Sequence, residues 1–162
     1  MKRIYLLFSA ALLLILAASC NSSVLFDEEH VIADAKWNRF SPEEFHVKSN
    51  SVDDYYDLYV TVSVDTNQYR LNSLPVNINL YSPNGERRMF PSTVTLRKSN
   101  GQWNGTFEGS VLTCSQRVRD CFCFNTEGDY KVEVGQATHY YDITGVKSIA
   151  FKVLKTKLEY PE

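Results

Sequence analysis

Between Leu58 and Asp65 apolar and polar side chains alternate without a break: Leu58, Val60, Val62 and Val64 interleave with Tyr59, Thr61, Ser63 and Asp65. Successive side chains of an extended chain point to opposite faces, so a period of two describes a strand with one face in a core and one face outside. The alternation returns at Val76, Ile78 and Leu80, at Tyr130, Val132 and Val134, and at Ile149, Phe151 and Val153. No stretch of the body sustains the 3.6-residue period of an amphipathic helix over two turns. Ten Tyr and nine Phe suit a pleated, half-buried surface.

Turn chemistry punctuates these runs. Ser82-Pro83-Asn84-Gly85, Ser99-Asn100-Gly101 and Thr126-Glu127-Gly128-Asp129 supply the fixed φ of proline and the positive φ that glycine and asparagine tolerate. Met89 to Leu96 reads as a strand that Pro91 restricts to a sheet edge or a bulge. Trp103, Gly105, Phe107 and Gly109 read as another strand, alternating on one face. Residues 138–144 form a polar connection with room for one helical turn. About eight strands, with turns about every 8–12 residues, predict an all-β, antiparallel β-sandwich of jelly-roll-like character. Before Leu58 the pattern loosens: Leu25-Phe26 and His30-Val31-Ile32 suggest a first strand, while Trp37, Phe40 and Phe45 read as anchors of an extended arm.

The N-terminus reads as export machinery. Lys2 and Arg3 precede an almost unbroken apolar run from Ile4 to Leu16, then small residues lead to Cys20. That run is shorter than the roughly 20 residues a membrane span requires, so residues 1–19 are expected to be a cleaved signal peptide. The small residues ahead of Cys20 resemble a bacterial lipobox. That likeness implies lipid (palmitate among the acyl chains) on Cys20 and a membrane anchor there, with residues 20–24 as tether and 25–162 as a single domain. A net charge of −2 without charge blocks gives no footprint for nucleic acid.

With Cys20 lipidated, Cys114, Cys121 and Cys123 remain. Cys121 and Cys123 share a strand face, and Cys114 faces either of them if the intervening residues form a short hairpin, which makes a structural disulfide the leading expectation. Unpaired thiols are the alternative. A fourth ligand at zinc-like spacing is missing, so neither metal nor another cofactor is expected.

Catalytic constellations are equally scarce. The three histidines accompany no G-x-S-x-G elbow, H-E-x-x-H pair or phosphate-cradling loop. His30 and His139 read as surface or edge-strand residues, and Asp53, Asp54 and Asp57 as a solvated acidic loop. An enzyme is therefore not expected. The remaining lead is tyrosine: Tyr55, Tyr56, Tyr59, Tyr81, Tyr140 and Tyr141 form a candidate interaction surface, suited to a protein partner or to sugar stacking, unless they merely cover the sheet.

Landmarks in order then carry a family resemblance: Cys20, Phe26-Asp27-Glu28, Trp37, Pro83-Asn84-Gly85, Gly101-Gln102-Trp103-Asn104-Gly105, Val132-Glu133-Val134, Ile143-Thr144-Gly145-Val146 and Ile149-Ala150-Phe151-Lys152-Val153. Over residues 20–153 the chain resembles the GldH family of gliding-motility lipoproteins of the Bacteroidetes. The resemblance implies a non-enzymatic envelope lipoprotein with protein partners in the motility apparatus and no catalytic residues to carry over. Asn21-Ser22-Ser23 follows the cysteine where acidic residues favour surface display in that phylum, so the outer membrane, facing the periplasm, is the expected location. A carbohydrate- or peptidoglycan-binding module on the same fold is the alternative.

Overall fold

A computed structural model describes residues 23–156. The expected signal peptide, Cys20 and the start of its tether lie outside the described residues. Eleven strands follow in order: β1 (Val24–Val31), β2 (Lys36–Asn38), β3 (Glu43–Ser49), β4 (Tyr55–Asp65), β5 (Ser73–Tyr81), β6 (Arg87–Thr95), β7 (Thr106–Glu108), β8 (Val111–Cys123), β9 (Gly128–Gln136), β10 (Asp142–Thr144) and β11 (Val146–Lys155). A 3-10 turn at Ala33–Ala35 is the helical element among them.

The strands make an antiparallel sandwich. One sheet has the order β1-β11-β4-β8-β7, the other β3-β9-β5-β6, and β10 pairs with β2 as a small ribbon at one end. The chain changes sheet at most connections, as jelly-roll topologies do. The period-two runs point inward as the alternation requires: Leu58, Val60, Val62 and Val64 face Leu74, Val76, Ile78, Leu80, Val132 and Val134 across a fully buried core. Phe45 and Phe151 meet in that core with ring centroids 5.9 Å apart. A second aromatic cluster, Tyr56, Phe122, Phe124 and Tyr130, closes the end near Ser23 and Lys155. Burying this much aliphatic and aromatic side chain, at about 1.5–3 kcal/mol each, is what offsets the entropy of ordering so many strands.

Three readings of the sequence change. The N-terminal arm is not an appendage: β1 and β3 are edge strands of opposite sheets, joined across the sandwich by Phe26 against Phe45. Trp37 and Phe45 are buried, whereas Phe40 is 71% exposed. Its backbone N–H is held in a turn by the Asn38 side chain at 2.8 Å, so the ring cannot reach the core. Residues 103–109 do not form one strand either. Gly105 lies at φ +155°, where an added Cβ would stand 2.2 Å from the Thr113 carbonyl oxygen. Only Thr106–Glu108 joins the sheet beyond it.

Candidate functional site

The sandwich has two unlike ends. At one end the N-terminal segment enters β1, and Lys155 N–H donates to the Ser23 carbonyl at 2.6 Å. The β3–β4, β5–β6 and β8–β9 connections lie there too, the latter two tied by Asn84 Nδ2 donating to Thr126 Oγ1 at 3.2 Å. The opposite end gathers residues 32–42, 66–72, 97–110 and 137–145. Arg39 N–H donates to the Tyr141 carbonyl at 2.8 Å, and Gly145 N–H to the Ala35 carbonyl at 2.7 Å.

The six tyrosines singled out from the sequence do not converge. Tyr56 is 4% exposed, packed edge-on against Phe124, and belongs to the core. Its register explains this correction, because Tyr56 shares the inward face of β4 with Leu58. Tyr55 is exposed at the end near Ser23. Tyr59 and Tyr81 are half-buried on different sheets, the latter bonded to Glu133 Oε2 at 3.0 Å. Tyr140 and Tyr141 are exposed at the opposite end.

That far end holds an aromatic tip which includes a residue the sequence misplaced. The Phe40 and Tyr141 rings lie 5.9 Å apart, and the Arg39 guanidinium sits 5.5 Å over Phe40. Pairing of β2 with β10, register Asn38↔Asp142, brings together two segments about a hundred residues apart in sequence. Asn38 Nδ2 donates to Asp142 Oδ1 at 2.8 Å and Lys36 Nζ lies 3.1 Å from Asp142 Oδ2. The Asn38 hydrogen bond and then the Lys36 ammonium hold the Asp142 carboxyl below its usual range. Buried Gln136 fixes the neighbouring loop, its Nε2 donating to the Tyr140 and Tyr141 carbonyls at 3.0 and 3.3 Å. The tip is therefore a braced platform, and its rings project from anchored backbone.

The cysteines are placed differently from expectation. No hairpin separates them: Cys114, Cys121 and Cys123 all ride on β8, which contains none of the Gly, Pro or Asn residues a turn would use. Seven residues of strand put Cys114 roughly 20 Å from Cys121, against the ~5.5–6 Å between α-carbons that a disulfide needs. All three are free thiols. Cys114 points into the core beside the Thr95 carbonyl, 3.4 Å away, and burial raises its pKa. Cys121 sits in a bulge at φ +45°, exposed, with its N–H donating to Asp57 Oδ1 at 3.1 Å.

The acidic loop disperses. Asp54 pairs with Lys155 at 2.7 Å and Asp57 with Arg117 at 3.4 Å, while Asp53 lies exposed. Among the described residues no group of three or more His, Cys, Asp and Glu is arranged to hold a metal, and no helix is long and apolar enough to cross a membrane. His30 lies on the β1 edge, its ring stacked 4.3 Å from Phe45 and bonded at 3.0 Å to both Glu28 and Glu43. His139 is exposed against Tyr140.

Comparison with known proteins agrees with the order of landmarks in the sequence. The chain is 23% identical to the gliding motility lipoprotein GldH homolog of Christiangramia forsetii, over 96% of this chain and 99% of that one. Among solved structures it is similar to Eiger TNF from S. frugiperda, with TM-score 0.48 and 11% identity over 86% of this chain and 98% of that one. It is also similar to the Aeromonas sobria serine protease in complex with its chaperone, with TM-score 0.38 and 15% identity over 83% of this chain and 27% of that one. Neither structural likeness is close enough to bear on function. The profile of the GldH lipoproteins, however, matches residues 24–153, nearly the whole sandwich from β1 into β11, and the chain belongs to the GldH lipoprotein family.

Proposed function

We propose that this protein is a non-enzymatic assembly or interaction subunit of the cell envelope. In this reading residues 1–19 are removed, lipid on Cys20 holds the domain on the outer membrane facing the periplasm, and the aromatic tip engages a protein partner of the motility machinery. The observation that carries it is the position of the tip: Phe40 and Tyr141 lie at the end of the sandwich opposite Ser23. A domain on a tether of a few residues has little reach, so its far end is the surface another envelope protein meets first. Exposed aromatic rings beside an arginine are the side chains that dominate protein interfaces. Several buried acyl chains, at about 0.8 kcal/mol per methylene, would supply the anchoring.

The test is capture of gliding or secretion-machinery proteins by the purified lipoprotein and by a Phe40→Ala/Tyr141→Ala variant whose thermal unfolding matches the wild type. Loss of two interface anchors is expected to weaken capture by at least about thirtyfold, the equivalent of about 2 kcal/mol. Equal capture by the folded double variant would reject the tip, and Tyr55→Ala, at the other end, is expected to change nothing.

A further inference from the structure

The outer face of the five-stranded sheet carries a feature the motility reading does not use. Two adjacent rows of outward positions run across the strands. One is Ala150, Thr61 and Ser115, the other Ser148, Ser63 and Thr113. Exposed sheet faces ordinarily carry aromatic, larger aliphatic or charged residues in cross-strand pairs, and six side chains no larger than threonine together leave a trench. Larger groups bound it. Toward Ser23 the next row is Lys152, Tyr59 and Arg117, with Asp27 on β1 bonded to Lys152 at 2.6 Å. At the far side stand the 3-10 turn with Asp34, then Gln68, Glu108 and Lys147. The concavity measures about 1020 Å³. It spans the sheet from β1 to β7, four strand spacings or about 19 Å.

Its chemistry selects among occupants. The floor is hydroxyl: Thr61 Oγ1 donates to Ser115 Oγ at 3.0 Å, Ser63 and Thr113 share a hydrogen bond of 3.0 Å, and Ser148 donates to Glu29. The walls mix carboxylates with lysines and an amide. Methionine is absent from its lining and the single ring at its border is Tyr59, so the aromatic and methionine clusters that mark a protein interface are missing here. The sheet's own ladder uses the backbone groups beneath the floor, so a peptide strand would find no main-chain partners there. Acidic walls disfavour phosphate. A polyhydroxylated chain matches: its hydroxyls donate to carboxylates and accept from Lys147 and Gln68, while its C–H faces rest on Ala150 and on the valines at either margin, Val31 and Val111.

We propose that this transverse groove is a saccharide-binding site that takes a short stretch of neutral glycan. It is separate from the aromatic tip, so the protein would hold a glycan on one face and a protein at its far end.

The test is binding of the purified full-length lipoprotein to immobilised neutral tetrasaccharides (cellotetraose, maltotetraose, chitotetraose), with a library of unstructured peptides printed beside them. Ala150→Arg fills the floor from an outward position without touching the core, and Asp34→Asn with Glu108→Gln removes two wall carboxylates that make no internal pairs. Each variant is carried forward only after its thermal unfolding matches the wild type. The expected result is saccharide binding that Ala150→Arg abolishes and the double wall variant weakens at least tenfold, with Tyr141→Ala unaffected. Retention of no tetrasaccharide, binding that survives the filled floor, or preferential capture of peptides would each overturn the assignment.

Discussion

At the residue scale, His30 joins the two sheets at their β1–β3 edge. Burial disfavours its charge, but hydrogen bonds and charge from Glu28 and Glu43 outweigh that, and its pKa is raised above 6.5. The groups around it are those two carboxylates, the ring of Phe45 and, opposite on β11, apolar Ile149. A raised pKa means the folded state holds the proton more tightly than the unfolded chain. The contribution is therefore complete below the unfolded value near 6.5 and is lost as pH rises through the higher folded value. Urea midpoints should accordingly decrease as pH rises above about 6.5, a loss that His30→Gln removes. An identical pH slope in the variant would show the latch to be silent. The cysteines make a second prediction. Cys121 is exposed and Cys114 buried, so alkylation of the native chain should modify Cys121 and reach Cys114 only after unfolding. Protection of Cys121 that a reductant lifts would reveal a disulfide in its place.

At the element scale, the strands whose alternation is uninterrupted are legible directly: β4, β5, β9 and β11 sit where their apolar positions require. Pro91 on the edge strand β6 obeys the same logic. What is not legible is long-range or irregular. The pairings that raise β1 and β3 from arm to sheet edge are set by partners more than eighty residues away, Ile149 for His30 and Val132 for Phe45. In β8 the register shifts opposite Tyr56–Tyr59 break the period of two, and this conceals a single 13-residue strand behind a cysteine cluster. The aromatic tip escaped because turn residues ahead of Pro42 release Phe40 from the core, and nothing local announces Tyr141 as its neighbour. Gly145, between β10 and β11, has a requirement of its own. At φ +89° an added Cβ would stand 2.6 Å from the Tyr69 backbone nitrogen. Gly145→Ala should therefore cost about 2 kcal/mol or more through strain and clash, read as a lower denaturation midpoint. Phe45→Ala, which empties the centre of the β1–β3 junction, should cost about 3–5 kcal/mol. A loss below about 1 kcal/mol in either variant would contradict the packing described.

At the scale of the whole molecule, the arrangement is polar in the geometric sense. Ser23 and Thr156, the ends of the described residues, gather at one end, the exposed rings of Phe40 and Tyr141 at the other, and a hydroxyl-floored groove crosses the face between them. Family membership, the proposed lipid and the proposed role of the tip make one account, in which a small domain would carry a recognition surface away from a membrane. Cys20→Ala is expected to release the protein from the membrane fraction while leaving the sandwich folded, because Cys20 precedes the first strand. Persistent membrane retention of that variant would point to another anchor.

The most direct measurement is photocrosslinking in intact cells, with a photoreactive residue at Tyr141 or at Tyr55 and mass spectrometry of the products. The account predicts that Tyr141 captures a defined protein of the motility or secretion machinery, that Tyr55 does not, and that Cys20→Ala abolishes the capture. The same partner taken from Tyr55 and not from Tyr141, or capture indifferent to Cys20, would contradict a molecule tethered at one end and read at the other.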